Sequence, residues 1–275
     1  MDEVFLQKRA LEVRKGILTS VHSAKAGHPG GSLSAADVLT YLYFEKMNID
    51  PADPKKADRD RLVLSKGHAA PAWYSVLAER GYFSKDLLPG LRHIGSILQG
   101  HPDMKHIPGV DMSSGSLGQG ISAAAGMALA GKIKKEAYTT YVLLGDGEIQ
   151  EGQVWEAAMF AGSKQLDNLV VIVDNNNLQI DGTVEEVNSP YPIPDKFKAF
   201  NFHVIEVADG NDFAQLDAAF KEAEKVSGKP TAIILKTVKG KGVSFMENQV
   251  GWHGKAPNDE QYAEAMDELN KAGEQ

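Results

Sequence analysis

The runs "LVVIV" (169–173) and "TAIIL" (231–235) are apolar at all but one of their positions. A strand with one face in water alternates apolar with polar residues, so unbroken runs of this kind ask for cover on both faces. Further β-branched stretches complete a set of five expected strands, at 61–65, 139–144, 169–174, 202–207 and 231–238. Helical spacing fills the gaps at 69–81, 117–135, 151–163 and 213–226, and a longer helix covers 4–24. Another helix is expected to start at Ser34, with Asp37 three residues later as a capping-box-like pair. Strand–helix alternation of this kind predicts an α/β fold, a mainly parallel sheet flanked by helices. In such sheets ligands lie beyond the carboxyl ends of the strands.

Charge and composition limit what those ends can bind. The 29 basic residues are outnumbered by 37 acidic ones, a net charge of −8. Nucleic acid and anionic membrane surfaces are poor partners for such a chain. A small anion needs only a local positive site. There is no cysteine, which excludes disulfides, thiolate metal sites and a cysteine nucleophile. The apolar runs fall far short of the ~20 residues of a membrane helix. The charged opening "MDEVFLQKRALEVRKG" has no signal-peptide core. A cytoplasmic location is the expectation.

Two expected strands end in polar motifs. The 139–144 strand runs into Gly145-Asp146-Gly147, and the 169–174 strand into "DNNNLQIDG". The distance from Asp146 to Asn176 suits one strand–helix–strand crossover, which would bring both to the same rim. A carboxylate and an amide oxygen together suit a hard divalent cation, and Mg²⁺ shares its coordination with phosphate oxygens. Taken alone, the Gly-Asp-Gly stretch is equally a tight strand-to-helix turn. It does not fit a dinucleotide fingerprint, because the third glycine, Gly152, comes two places late. A second glycine-rich turn, "SSGSLGQG" (113–120), precedes the next helix, where backbone N–H groups can hold a diphosphate.

The chain has eight histidines, and four of them lie beside glycine or proline. They are His28 in "AGHPGGS", His68 in "LSKGHAAP", His101 in "GHPD" and His253 in "GWHGKAP". Their spacing fits no zinc motif, so they suggest a polar site on loops. His22, His93, His106 and His203 lack such a setting and are expected to be structural.

Taken in order, these motifs resemble the thiamine-diphosphate-binding, N-terminal domain of transketolases, together with "KGKGVSFMENQVGWHGKAP" near the C-terminus. The resemblance runs from about His28 to Pro257 and implies a thiamine-diphosphate-binding fold over 1–258, with 259–275 a C-terminal helix and tail. It implies that Asp146, Asn176 and the Leu178 carbonyl hold Mg²⁺, or Ca²⁺ or Mn²⁺ in its place. Gly115, Ser116 and Leu117 match the turn against the cofactor, and Gly147 and His68 match diphosphate contacts. Lys66 and Lys239 match basic residues near the cofactor. His28, His101 and His253 match residues around the reactive thiazolium carbon and the sugar hydroxyls. Glu151 matches an acid at the subunit interface, proposed to link two active sites. The implied reaction moves a two-carbon ketol unit from a ketose phosphate to an aldose phosphate, with pentose-phosphate-pathway activity as the default.

The chain departs from that family in length, since a complete transketolase is more than twice as long. The absent second domain carries the glutamate that pairs with the cofactor's aminopyrimidine. The chain therefore looks like the N-terminal subunit of a split enzyme, paired with a C-terminal subunit in an α2β2 heterotetramer. A truncated form of a longer enzyme is the other possibility. Competing readings are the α chain of a 2-oxo-acid dehydrogenase decarboxylase, a deoxyxylulose phosphate synthase, a nicotinamide dehydrogenase and a non-catalytic interaction subunit. The histidines of "AGHPGG" and "WHGKAP" favour sugar chemistry over the first.

Overall fold

The computed structural model describes residues 1–274. The chain opens with helices α1 (Glu3–Ala24), α2 (Pro29–Ser34) and α3 (Ala36–Tyr41). Strand β1 (Arg61–Leu64), α4 (Ala70–Arg80), α5 (Gly120–Lys134), β2 (Thr140–Gly145), α6 (Gly152–Ser163) and β3 (Leu169–Asn175) follow. A small hairpin of β4 (Leu178–Gln179) and β5 (Gly182–Thr183) leads into α7 (Val184–Asn188) and α8 (Ile193–Ala199). The chain closes with β6 (His203–Val207), α9 (Phe213–Ala223), β7 (Thr231–Lys236) and α10 (Asp259–Gly273).

Five strands form one parallel sheet in the order β1-β2-β3-β7-β6. Successive residues of each central strand face opposite layers. Leu62, Leu64, Leu143, Ile172 and Ile233 join the core beneath α1, α3, α4 and α9, and Val63, Val142, Val171 and Val173 join the core beneath α5, α6 and α8. That is why the strands read as unbroken apolar runs. Ala265 and Leu269 of α10 are buried in the same core as Leu6 and Val13 of α1.

All five expected strands form, with ends shifted by one or two residues. The N-terminal region differs more. Ser34 caps no helix: it is the last residue of α2, and its hydroxyl donates to Asp174 Oδ2 at 2.5 Å. The residue before α3 is Ala35, and Asp37 instead accepts from Arg14 Nη2 at 2.5 Å. A buried serine beside a buried carboxylate gains more from that bond than from capping a one-turn helix.

In parallel sheets all carboxyl ends lie at one rim. Gly145 pairs with Asp174, and Asn175 with Lys236, so the polar motifs after β1, β2, β3 and β7 emerge side by side. None of the described helices is long and apolar enough to cross a membrane.

Candidate active site

At that rim lies a cavity of about 400 Å³. Its lining includes His28, Lys66, His68, Gly115, Leu117, Asp146, Gly147, Glu151, Asn176, Leu178, Lys239 and His253. Of the residues singled out from sequence, His101 and Ser116 alone fall outside the lining. His101 is close by, its ring against Gly115, and its carbonyl accepts from the Tyr74 hydroxyl at 2.9 Å.

Asp146 is 2% exposed. Its Oδ1 accepts from the Gly147 N–H at 2.8 Å, and Oδ2 from Asn175 Nδ2 at 3.0 Å and the Asn177 N–H at 2.5 Å. Burial, with the Asp174 carboxylate adding to it, pushes its carboxyl up to about 6. The three asparagines of "DNNN" have separate tasks. Asn175 links Asp146 to the Tyr191 hydroxyl. Asn176 turns its Oδ1 to the Leu178 N–H at 3.1 Å. Asn177 takes the left-handed conformation (φ 64°) that turns the chain towards Leu178. Short amide side chains tolerate that region better than most.

The donors at this point of the rim are a buried carboxylate, an amide oxygen and a backbone carbonyl, all hard oxygens, as a small divalent cation requires. A cation would also relieve the strained charge of Asp146. The residues therefore fit a metal, and the Leu178 carbonyl now accepts from Lys239 Nζ at 2.7 Å.

Both predicted lysines are buried. Lys66 is 1% exposed; its ammonium donates to the Gly31 carbonyl at 2.9 Å and pairs with Asp174. Burial alone would push the Asp174 carboxyl up. The Lys66 ammonium and the hydroxyls of Ser34 and Thr237 hold it below its usual range. Lys66 thus reaches the cavity lining with its charge already paired to Asp174. Lys239, 2% exposed, is also 2.9 Å from His253 Nδ1, and burial pushes its ammonium down to about 8.

The histidines converge. Ring centroids are 5.1 Å apart for His28 and His68, 5.5 Å for His28 and His253, and 5.3 Å for His68 and His253. Burial, then the Arg92 guanidinium, pushes His28 down to about 4. Burial, then Lys239, pushes His253 down to about 3, and His68 is likewise held well below the usual range. These imidazoles are neutral at pH 7. Among the described residues, the buried Nδ1 of His28 has no hydrogen-bond partner. The other four histidines lie elsewhere: His22 stacks on Tyr262, His203 contacts Glu222, His106 contacts Asp103, and His93 is exposed.

Glu151 is exposed and directly precedes α6. Glu148, Asp174 and Asn175 are all buried at the site without having been given a role from sequence. Asp174 and Asn175 stand inside the polar motif after β3, and Glu148 follows the Gly145-Asp146-Gly147 turn, but nothing in either stretch says which way they face.

The family described as "Transketolase, thiamine diphosphate binding domain" matches residues 7–272. The chain belongs to the transketolase family. It is 46% identical over 271 residues to the 6-deoxy-6-sulfo-D-fructose transketolase subunit of Clostridium sp. (strain MSTE9), covering 98% of each chain. It is 44% identical to an apulose-4-phosphate transketolase subunit of Phocaeicola vulgatus, covering 97% of this chain and 94% of that one. Among solved structures, the transketolase of Campylobacter jejuni superposes with a TM-score of 0.92 at 33% identity. The match takes in 98% of this chain but 43% of that one, so this chain spans less than half of the solved transketolases it matches. The parallel sheet and its flanking helices are thus those of a transketolase thiamine diphosphate-binding domain.

Proposed function

We propose that this chain is the N-terminal subunit of a two-chain transketolase that transfers a two-carbon ketol unit between sugar phosphates or similar anionic sugars, with thiamine diphosphate and Mg²⁺. The observation that carries the reading is one cavity whose lining brings together Asp146, Asn176 and Leu178 with a cluster of neutral histidines. Both subunit relatives named above match this chain over nearly its whole length, which supports a separate partner chain. That partner would bring the pyrimidine-binding domain, in an α2β2 assembly working in the cytoplasm.

Asp146, Asn176 and the Leu178 carbonyl would hold the metal, and the metal would bind the diphosphate. Gly115, Ser116, Leu117, Gly147 and His68 would line the cofactor, with Lys66 and Lys239 supplying positive charge. The bound cofactor supplies carbanion chemistry. The chain's own part is to hold and move protons. A neutral imidazole can accept a proton from a sugar hydroxyl at one nitrogen and return it later. His28 would take this part; His253, whose Nδ1 lies at the Lys239 ammonium and accepts from it, would present its Nε2–H as a donor to a sugar oxygen. His101, its ring against Gly115, would meet the sugar hydroxyls. Glu151, exposed at the start of α6, would face a second active site across an interface.

Co-expression with a partner carrying the pyrimidine-binding domain tests the reading. Ketol transfer should require both chains together with thiamine diphosphate and Mg²⁺. Full activity of the isolated chain, or none from the reconstituted pair, would overturn it.

A further inference from the structure

Part of the cavity lining comes from the glycine turns around Gly115 and Gly145, and one buried acid of that lining, Glu148, ties them together. Glu148 is 2% exposed. Its Oε1 accepts from Ser65 Oγ at 2.5 Å and from the Gly118 N–H at 3.0 Å, while Oε2 accepts from the Gly145 N–H at 3.0 Å. The three donors come from three segments: the exit of β1, the glycine-rich turn before α5 and the exit of β2. The glycine-rich turn is packed closely on its surroundings: a Cβ on Gly120 would lie 2.6 Å from Ser65 Cα at the exit of β1, and one on Gly118, whose φ is 80°, would lie 2.8 Å from Glu151 Cβ. On the other flank, Ser114 Oγ donates to the Leu64 carbonyl at 2.6 Å.

A buried carboxylate is an expensive way to join three turns, because its desolvation opposes folding. An apolar side chain of similar size would avoid that cost but leave two backbone N–H groups without acceptors. A carboxylate supplies two acceptor oxygens on one rigid planar group, and here one oxygen serves each glycine turn. The separation between the turns is then set by covalent geometry.

We propose that Glu148 is a positioning residue for the cofactor cradle, fixing the Gly115–Gly120 turn against the Gly145-Asp146-Gly147 turn before the diphosphate arrives. The proposal rests on the cofactor assignment above. A cradle already set loses little freedom on binding, so the benefit falls on affinity. Loss of Glu148 weakens cofactor binding and leaves turnover at saturating cofactor nearly unchanged.

The test is thiamine diphosphate titration in excess Mg²⁺, by calorimetry and tryptophan fluorescence, on the chain with its co-expressed partner. In Glu148→Gln the amide nitrogen cannot accept, so either Gly118 or Gly145 loses its acceptor. The Kd should rise about tenfold or more, as when a buried charge-assisted bond is lost, with kcat within about threefold of wild type. Leu269→Ala, a core change in α10, is the control: it should lower the Tm without moving the Kd, which separates positioning from general destabilisation. A wild-type Kd in folded Glu148→Gln overturns the proposal. If that variant does not fold, Glu148→Asp decides, since its shorter arm cannot span both turns; unchanged affinity there overturns it equally. Failure of the wild-type pair to bind thiamine diphosphate would instead overturn the cofactor assignment, and the proposal with it.

Discussion

Asp146 carries a charge that weakens the fold and that a bound cation would offset. Its carboxyl is pushed from 3.8 up to about 6 by burial and by Asp174. A shift of that size is worth about 3 kcal/mol against the folded state at neutral pH. Asp146→Asn removes the charge but sets an amide N–H against one of the N–H donors now bonded to the carboxylate, at a cost of about 1–2 kcal/mol. The first effect is the larger. The metal-free Asn variant should therefore gain about 1–2 kcal/mol in stability while losing Mg²⁺-dependent cofactor binding. Calorimetric unfolding without metal, paired with Mg²⁺ titration, checks both halves; a destabilised variant that still binds Mg²⁺ would reverse the argument. At this scale the sequence was readable where glycine or proline isolates a polar residue, as at Asp146, His28 and His253. Glu148 and Asp174 were not readable. Their importance lies in facing inward against Ser65 and Lys66, and neither partner is near them in sequence.

Elements hold the rim in place, and they do so through the two helical layers. Helix α10 shows the energetics: it lies on α1, burying Leu269 at 1% exposure, and Asn258 starts it with a full capping box. Leu269→Ala should cost about 2–4 kcal/mol, as large-to-small changes in packed cores do. Asn258→Ala should cost about 1 kcal/mol. Denaturant unfolding of both variants should give that order, and equal effects would mean that α10 is not held by its buried face. The five strands were readable because both faces are covered, so their apolar runs carry no competing pattern. Their ends were less so. Strand β7 was expected to reach Val238 but stops at Lys236, because Thr237 turns to bond Asp174 and the Val238 N–H turns to Asn211 Oδ1. The β4–β5 hairpin and α8 gave no signal, being too short for periodicity to show.

Over the whole molecule, the gathering of histidines sets how stability responds to pH. In the unfolded chain each titrates near 6.5; in the fold His28 is pushed down to about 4 and His253 to about 3. His68 lies well below 6.5 and His101 is also lowered, burial being the first cause for all four. As pH falls through 6.5 the unfolded chain takes up protons that the folded chain refuses, so stability is fully present above 6.5 and is lost towards 4. Asp146 has the opposite sign. Raised to about 6, it takes its proton first in the fold and returns some stability as pH falls below 6. Asp174, held below 3.8, begins to cost stability only under that value. Burial also holds the carboxyls of Asp60 and Glu148 above their usual range, with the same sign as Asp146. Those three carboxyls offset part of what four histidines lose, and His28 and His253, partly exposed, count for less than fully buried groups. The metal-free chain should lose about 5 °C or more in Tm between pH 7 and pH 5. Replacing His28 and His253 together by asparagine should flatten that slope, because the neutral amides have no proton to refuse. Scanning calorimetry across the range, on wild type and the double variant, reads both. A slope unchanged by the two substitutions would mean that the loss comes from groups outside the cavity, and that these imidazoles do not carry the buried, neutral state on which their proton handling depends.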